Sequence, residues 1–231
     1  MAILHIETAT PVCSVALSQN GKAIAITEVD GQNLHASHLN LFIVSVLEKT
    51  GVRMADLHAV AVGKGPGSYT GLRIGVSVAK GLCYALDIPL ISVDTLEGMF
   101  RGFLHSAGRE EYDVFLPMID ARRMEVYTAA YDAQGNKLEE TQALIIDQDA
   151  FGQYPEKRLA LFGSGADKFA GTFANAERIS VVPDFKNSAE HLCPIAFRKY
   201  EIQDFEDVAR FEPFYLKDFM AAKSGKLKSQ N

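Results

Sequence analysis

Gly63-Lys64-Gly65-Pro66-Gly67-Ser68-Tyr69-Thr70-Gly71-Leu72-Arg73-Ile74-Gly75 is the stretch that decides how this chain of 231 residues reads. An apolar run, Ala59-Val60-Ala61-Val62, precedes it, and a helix-like run continues to Leu86. A strand, a glycine-rich turn and a helix in that order gather backbone N–H groups at a helix N-terminus, where their partial positive charge suits an anion such as a phosphate. The common nucleotide patterns do not fit. No Gly-Lys-Ser/Thr follows at P-loop spacing, and Gly65, Gly67 and Gly71 are spaced one residue too long for the dinucleotide fingerprint. Two readings stand side by side. Either the glycines only let a strand reverse tightly into a helix, or the turn, with Ser68, Thr70 and Arg73, faces an anion. Arg73 falls in the first turn of its helix, where the dipole disfavours a cation, so an anionic neighbour is expected there.

Before the turn, Ile3 to Glu7, Val12 to Ser18 and Lys22 to Val29 alternate as strands, and Asn20-Gly21 between the last two is a hairpin signal. A helix is predicted from Leu34 to Thr50, closed by Gly51. After the turn come a short strand from Leu90 to Val93 and a helix capped by Asp94. The pattern breaks near Ala107-Gly108, and a second strand series follows: Asp113 to Ile119, Met124 to Tyr131, Lys137 to Ile145 and Arg158 to Phe162. A short helix is expected at Asp147 to Tyr154, with further helices after Gly163-Ser164-Gly165. The chain therefore reads as two similar α/β halves, 1–106 and 107–231.

Composition narrows the function classes. With 48% hydrophobic and 23% charged residues the chain is ordinary globular material. No apolar run reaches the roughly 18 to 20 residues that cross a bilayer. Met1-Ala2-Ile3-Leu4-His5 lacks a charged leader and reads as the first strand, not a signal peptide. Cys13, Cys83 and Cys193 are scattered, with no zinc spacing, and are expected to be reduced, packed thiols in the cytosol. A formal net charge of −6, with a lysine cluster only at Lys223, Lys226 and Lys228 in the tail, argues that nucleic acid is met through a partner.

Several groups are candidates for chemistry. Glu7-Thr8-Ala9-Thr10 joins two strands and is either a hydrogen-bonded turn or a metal-phosphate contact. His35 and His38 share a helix face, but a metal site needs three or four ligands and no third is apparent. Asp120-Ala121-Arg122-Arg123-Met124-Glu125-Val126-Tyr127 is either a solvated hairpin or a charged edge of the cleft between halves. The helix from Leu34 carries Leu41, Ile43, Val44 and Leu47 nearly all round, more apolar surface than one buried face uses. The following helix has a small-residue ladder, Gly71, Gly75, Ala79 and Cys83, which lets another helix come close. Either the chain's own core encloses both helices on all sides, or they form a partner surface, on which Val44→Glu or Ala79→Trp should leave a folded protein that no longer pairs; unfolding of both variants would make the faces internal.

The opening run to Thr10, Gly65 to Gly75, Asp120 to Tyr127 and Glu212-Pro213-Phe214-Tyr215-Leu216 occur in the order found in the TsaB family, which this chain resembles over nearly its whole length. Three positions depart from the family's habit: Glu7 for Asp, Tyr69 for Phe and Lys217 for Arg. The resemblance implies an actin-like, sugar-kinase-like fold of the ribonuclease H type, without a full active site. It implies a non-catalytic subunit of tRNA threonylcarbamoyladenosine synthesis that forms a heterodimer with a TsaD-like paralogue, the metal-bearing transferase. That paralogue's metal histidines are spaced His-x-x-x-His, whereas His35 and His38 are one residue closer. A TsaE-like ATPase would join, tRNA would be met only through the complex, and the same helices could form a homodimer. The expected location is the cytoplasm. His35, His38, Leu39, Phe42, Val46, Gly75, Ala79 and Cys83 become the expected interface. Glu7, Thr8, Gly65, Gly67, Ser68, Thr70 and Arg73 become the relic of a nucleotide site, with ATP or ADP possible at the complex junction. The alternative is a stand-alone small-molecule kinase, with Glu7 or Asp120 as its carboxylate base, or a peptidase-like enzyme of the same fold, for which no nucleophile–base set is visible.

Overall fold

The computed structural model of the chain describes residues 1–31, 33–105 and 109–217. The expected boundary at 106/107 and the tail lysines Lys223, Lys226 and Lys228 lie outside the described residues.

Strict alternation at the start produces an antiparallel meander of β1 (Ala2–Glu7), β2 (Val12–Gln19) and β3 (Lys22–Asp30). The β2–β3 turn places Asn20 at φ 51° and Gly21 at φ 79°, the primed geometry that Asn-Gly adopts. Helix α1 (His35–Thr50) ends on Gly51 in the left-handed conformation. Strand β4 (Ala59–Gly63) pairs parallel with β1, α2 (Tyr69–Leu86) crosses over, and β5 (Leu90–Val93) pairs parallel with β4. The sheet order is β3-β2-β1-β4-β5. Helix α3 (Thr95–Phe103) starts where the Asp94 carboxylate accepts from the N–H groups of Leu96 and Glu97.

The second sheet repeats the plan. It holds β6 (Val114–Asp120), β7 (Glu125–Asp132), β8 (Lys137–Ile145), β9 (Leu159–Phe162) and β10 (Ile179–Val182), in the order β10-β9-β6-β7-β8. Read from its other edge, this is the first sheet's connectivity. Among the described residues the last helix is α4 (Cys193–Glu201). One expectation fails here, and one element is new. Asp147 to Tyr154 forms successive turns, not a helix: the N–H groups of Ala150, Gly152 and Tyr154 donate three residues back, to the carbonyls of Asp147, Asp149 and Phe151. The strand β10 is not among the expected elements; its four residues are only half-buried and show no clean alternation.

Strands β1 and β4 are buried on both sides. On one side α1 and α2 cover Leu4, Ile6, Val60 and Val62. On the other, α4 and the turn before it cover Ile3, Ala59, Ala61 and Ile91 through Leu192 and Ala196. Helix α3 leaves the first half to pack on the second sheet, where Phe100 stacks on Tyr131 of β7 at 4.5 Å and Phe103 on Phe162 of β9 at 4.1 Å. All three cysteines are free and buried, as expected.

The chain's last described segment, 207–217, runs back across both halves. The Lys80 ammonium donates to the carbonyls of Ala209 (3.2 Å) and Phe211 (2.9 Å). The N–H of Phe214 donates to the Lys64 carbonyl at 2.8 Å. Tyr215 lies against Tyr69, with ring centres 4.8 Å apart, and Lys217 pairs with Glu125 on β7.

Candidate functional site

The glycine turn is filled by the chain itself. The Ser68 N–H donates to the Ala9 carbonyl at 2.7 Å, and the Thr8 hydroxyl donates to the Gly71 carbonyl at 2.8 Å. Gly71 N–H caps onto Ser68 Oγ, and Gly65 N–H donates to Thr95 Oγ1 at 3.2 Å. A methyl group on Gly67 would stand 2.3 Å from the Ala9 carbonyl oxygen, and one on Gly75 would stand 2.3 Å from Thr8 Oγ1. The glycines let the start of α2 press onto the β1–β2 turn, and the N–H groups of Gly65, Ser68 and Gly71 are spent on internal acceptors. Thr8 thus acts in packing, while Ser68 and Thr70 are exposed at the helix start. A methyl on Gly71 would come within 2.1 Å of the Thr8 carbonyl oxygen. Gly71→Ala is expected to cost about 2 kcal/mol, a fall in Tm of roughly 4–8 °C by calorimetry. Gly81 sits in the same helix, where a methyl would meet no other atom within 4 Å, so Gly81→Ala should raise Tm slightly.

Glu7 ends β1 beneath this turn and is fully buried. Its Oε1 accepts the Ala9 N–H at 2.7 Å, and Thr95 Oγ1 lies 3.5 Å from Oε2. Burial outweighs these bonds and pushes the carboxyl up to about 7. A methyl on Gly63 would stand 2.2 Å from Oε2, so the carboxyl is sealed against the sheet. His5, on the same strand, bonds Ser18 Oγ at 2.7 Å, and burial lowers it to about 3.

Arg73 is exposed on α2, and its anionic neighbour is an aromatic face instead. Its guanidinium lies 5.4 Å from the Tyr69 ring centre and donates to the Tyr69 hydroxyl at 3.4 Å. It lines an open groove of about 290 Å³ with Lys80, Glu212 and Tyr215.

The expected interface needs correction. Leu39, Phe42, Val46, Gly75, Ala79 and Cys83 are buried in the chain's own core, as is His35, whose Nε2 bonds the Thr10 carbonyl oxygen at 2.9 Å. Ile43 and Leu47 are buried with them. The reason is geometric: these residues form the stripes by which α1 and α2 lie on the sheet and on each other, and Gly71 and Gly75 of the small-residue ladder make room for Thr8 and Ile6. His38 is half-buried, bonded to Ser37 Oγ and tilted against Phe42. The apolar residues that do face outward on this layer are Leu41, 63% exposed, Val44, 47% exposed, and Tyr84, 85% exposed. Tyr84 is absent from the expected interface, although it lies eleven residues on from Arg73, three turns along the same face of α2.

Asp120 lies at the end of β6, where its carboxylate pairs with Lys168 at 2.6 Å and accepts the Arg122 N–H at 3.0 Å. Arg122 and Arg123 are exposed at the hairpin tip. Among the described residues, no cluster of three or more His, Cys, Asp or Glu is placed to hold a metal, and no helix is long and apolar enough to cross a membrane.

A family model described as TsaD, tRNA N6-adenosine threonylcarbamoyltransferase, matches residues 26–209. The tRNA threonylcarbamoyladenosine biosynthesis protein TsaB of Escherichia coli K12 is 32% identical over 229 residues, covering 96% of this chain and 97% of that protein. TsaB of Bacillus subtilis is 36% identical over 61% of this chain and 59% of its own length. The solved structure of YeaZ from Pseudomonas aeruginosa, 26% identical, superposes with a TM-score of 0.76 over 93% of this chain and 99% of its own. An activator of 2-hydroxyisocaproyl-CoA dehydratase from Clostridium difficile, solved with bound ADPNP, matches in fold alone, with a TM-score of 0.52 at 10% identity over 88% of this chain and 97% of its own. The duplicated sheets and these likenesses identify the architecture as the actin-like, sugar-kinase-like fold. With a relative of that identity along nearly its whole length, the chain belongs to the TsaB family of tRNA threonylcarbamoyladenosine biosynthesis proteins.

Proposed function

We propose that this chain is a cytoplasmic, non-catalytic subunit in the synthesis of threonylcarbamoyladenosine on tRNA, and that it works by forming a heterodimer with a TsaD-like paralogue. The observation that carries this reading is the outward side of the α1–α2 layer, where Leu41, Val44 and Tyr84 are 63%, 47% and 85% exposed on neighbouring helices. Leu41 and Val44 stand three residues apart on one face of α1, and large apolar side chains exposed there gain by burial against a second surface. The sealed position of Glu7 and the pairing of Asp120 with Lys168 support a non-catalytic role, since neither carboxylate stands free as a base. A TsaE-like ATPase would act on the assembled pair, and ATP or ADP would meet this subunit at the junction, beside Ser68, Thr70 and Arg73.

The test mixes the purified chain with its TsaD-like paralogue, threonylcarbamoyl-adenylate and unmodified tRNA. Co-elution on size exclusion and modification only when both proteins are present are the expected results. Modification by this chain alone, or steady ATP turnover on a small-molecule acceptor without the paralogue, would overturn the reading in favour of a stand-alone enzyme.

A further inference from the structure

The β6–β7 hairpin carries two charges that the α1–α2 surface does not use. Five of the chain's arginines, Arg53, Arg109, Arg158, Arg178 and Arg210, sit against carboxylates. Arg122 and Arg123 do not, although two acids flank them. Asp120 is held by Lys168, and Glu125 by Lys217. The Lys168 ammonium also donates to the carbonyls of Arg123 (2.9 Å) and Glu125 (2.7 Å), which fixes the base of the hairpin. Both guanidinium groups are thus left without an ion pair or hydrogen bond among the described residues, at the end of a hairpin whose base Lys168 holds.

The backbone makes this arrangement costly. Arg122 and Arg123 both adopt left-handed φ values, 72° and 54°. For a residue with a Cβ that conformation costs on the order of 1–2 kcal/mol, and glycine or asparagine would take it more cheaply. Strain of this kind tends to be kept where the side chain is needed. Two adjacent planar forks with free donors match phosphate oxygens bidentately.

We infer that the Arg122–Arg123 tip is the point at which this subunit touches the phosphate backbone of RNA. The inference rests on the tRNA reading above and deepens it. An RNA is favoured over the paralogue because the tip belongs to the second half, whereas the outward apolar face belongs to the first. A long polyanion spans both halves of an assembly, and within the complex the two unpaired guanidiniums at the tip give it a local anchor.

The experiment titrates labelled, unmodified tRNA into the complex of this chain with its TsaD-like paralogue, over about 50 to 200 mM salt. The double variant Arg122→Gly, Arg123→Gly removes both charges and suits the left-handed backbone, so it keeps the fold. It should weaken tRNA binding about tenfold or more at low salt and lower the log–log salt slope by roughly 1.4, about 0.7 for each lost phosphate contact. Arg122→Lys with Arg123→Lys should keep most of the slope. An unchanged affinity and slope in the glycine variant, with the complex intact on size exclusion, overturns the inference. Loss of the paralogue from that variant also overturns it and makes the tip a protein contact. If the unaltered chain never pairs, the heterodimer reading has failed separately; the titration is then run on the chain alone, where the same difference in slope is expected and its absence defeats the RNA contact.

Discussion

Val44→Glu is expected to leave the chain folded and to weaken pairing with a TsaD-like paralogue by at least about a hundredfold, roughly 2.7 kcal/mol. Val44 is 47% exposed on the outward side of α1, so the isolated subunit tolerates a carboxylate there. Seated against a partner, that carboxylate would be desolvated without a counter-charge, which commonly costs several kcal/mol. Ala79→Trp, which the sequence groups with it, is expected to behave differently. Ala79 is fully enclosed between α2 and the sheet, and no rotamer of an indole fits there without forcing the layers apart. Circular dichroism melts and isothermal titration against the paralogue separate the two outcomes. A Val44→Glu protein that pairs with unaltered affinity would remove the outward face of α1 from the interface.

Glu7→Gln is expected to stabilise the protein above neutral pH and to do nothing in mild acid. The Glu7 carboxyl is raised from 4.5 to about 7 by burial, so in the folded chain it stays protonated where the unfolded chain has already ionised. Its contribution is therefore fully present below about pH 4.5, declines as pH rises, and is lost by the time pH passes 7. Two to three pH units correspond to about 3 kcal/mol as an order of magnitude. Glutamine keeps an acceptor for the Ala9 N–H and never ionises, so the variant should lead at pH 8 and match the parent at pH 4.5. The buried histidines act in the opposite sense. His5 and His191 are lowered by burial from 6.5 to about 3 and about 4, so their contribution is present above pH 6.5 and is lost as pH falls through those values. Between pH 4.5 and 6.5 the two effects oppose each other in the parent, and Glu7→Gln should expose the histidine slope in a plot of Tm against pH. Equal melting of the two proteins at pH 8 would mean that Glu7 is hydrated in the folded chain.

What could be read from sequence was what local chemistry fixes. Asn20-Gly21 demanded a hairpin, Gly51 a left-handed helix end and Asp94 a cap, and each is found where expected. The duplication followed from the order of strands, even though successive turns replace the helix predicted at Asp147 to Tyr154. The site was less legible because it depends on which surface each side chain meets. The glycine pattern of the α2 start is the same whether the approaching group is a phosphate or the Thr8-Ala9 backbone; only the tertiary contact at Gly71 and Gly67 distinguishes them. A helix that is apolar on several sides similarly does not declare which stripe lies inward. Phe42 and Val46 took the sheet side, leaving Leu41 and Val44 outside.

The segment from Asp207 to Lys217 works like a hasp. It is fastened to α2 through Lys80, to the glycine turn through Lys64 and to β7 through Glu125. Any scissoring of the two lobes must therefore first undo a clasp whose first fastening lies on the helix that presents Tyr84.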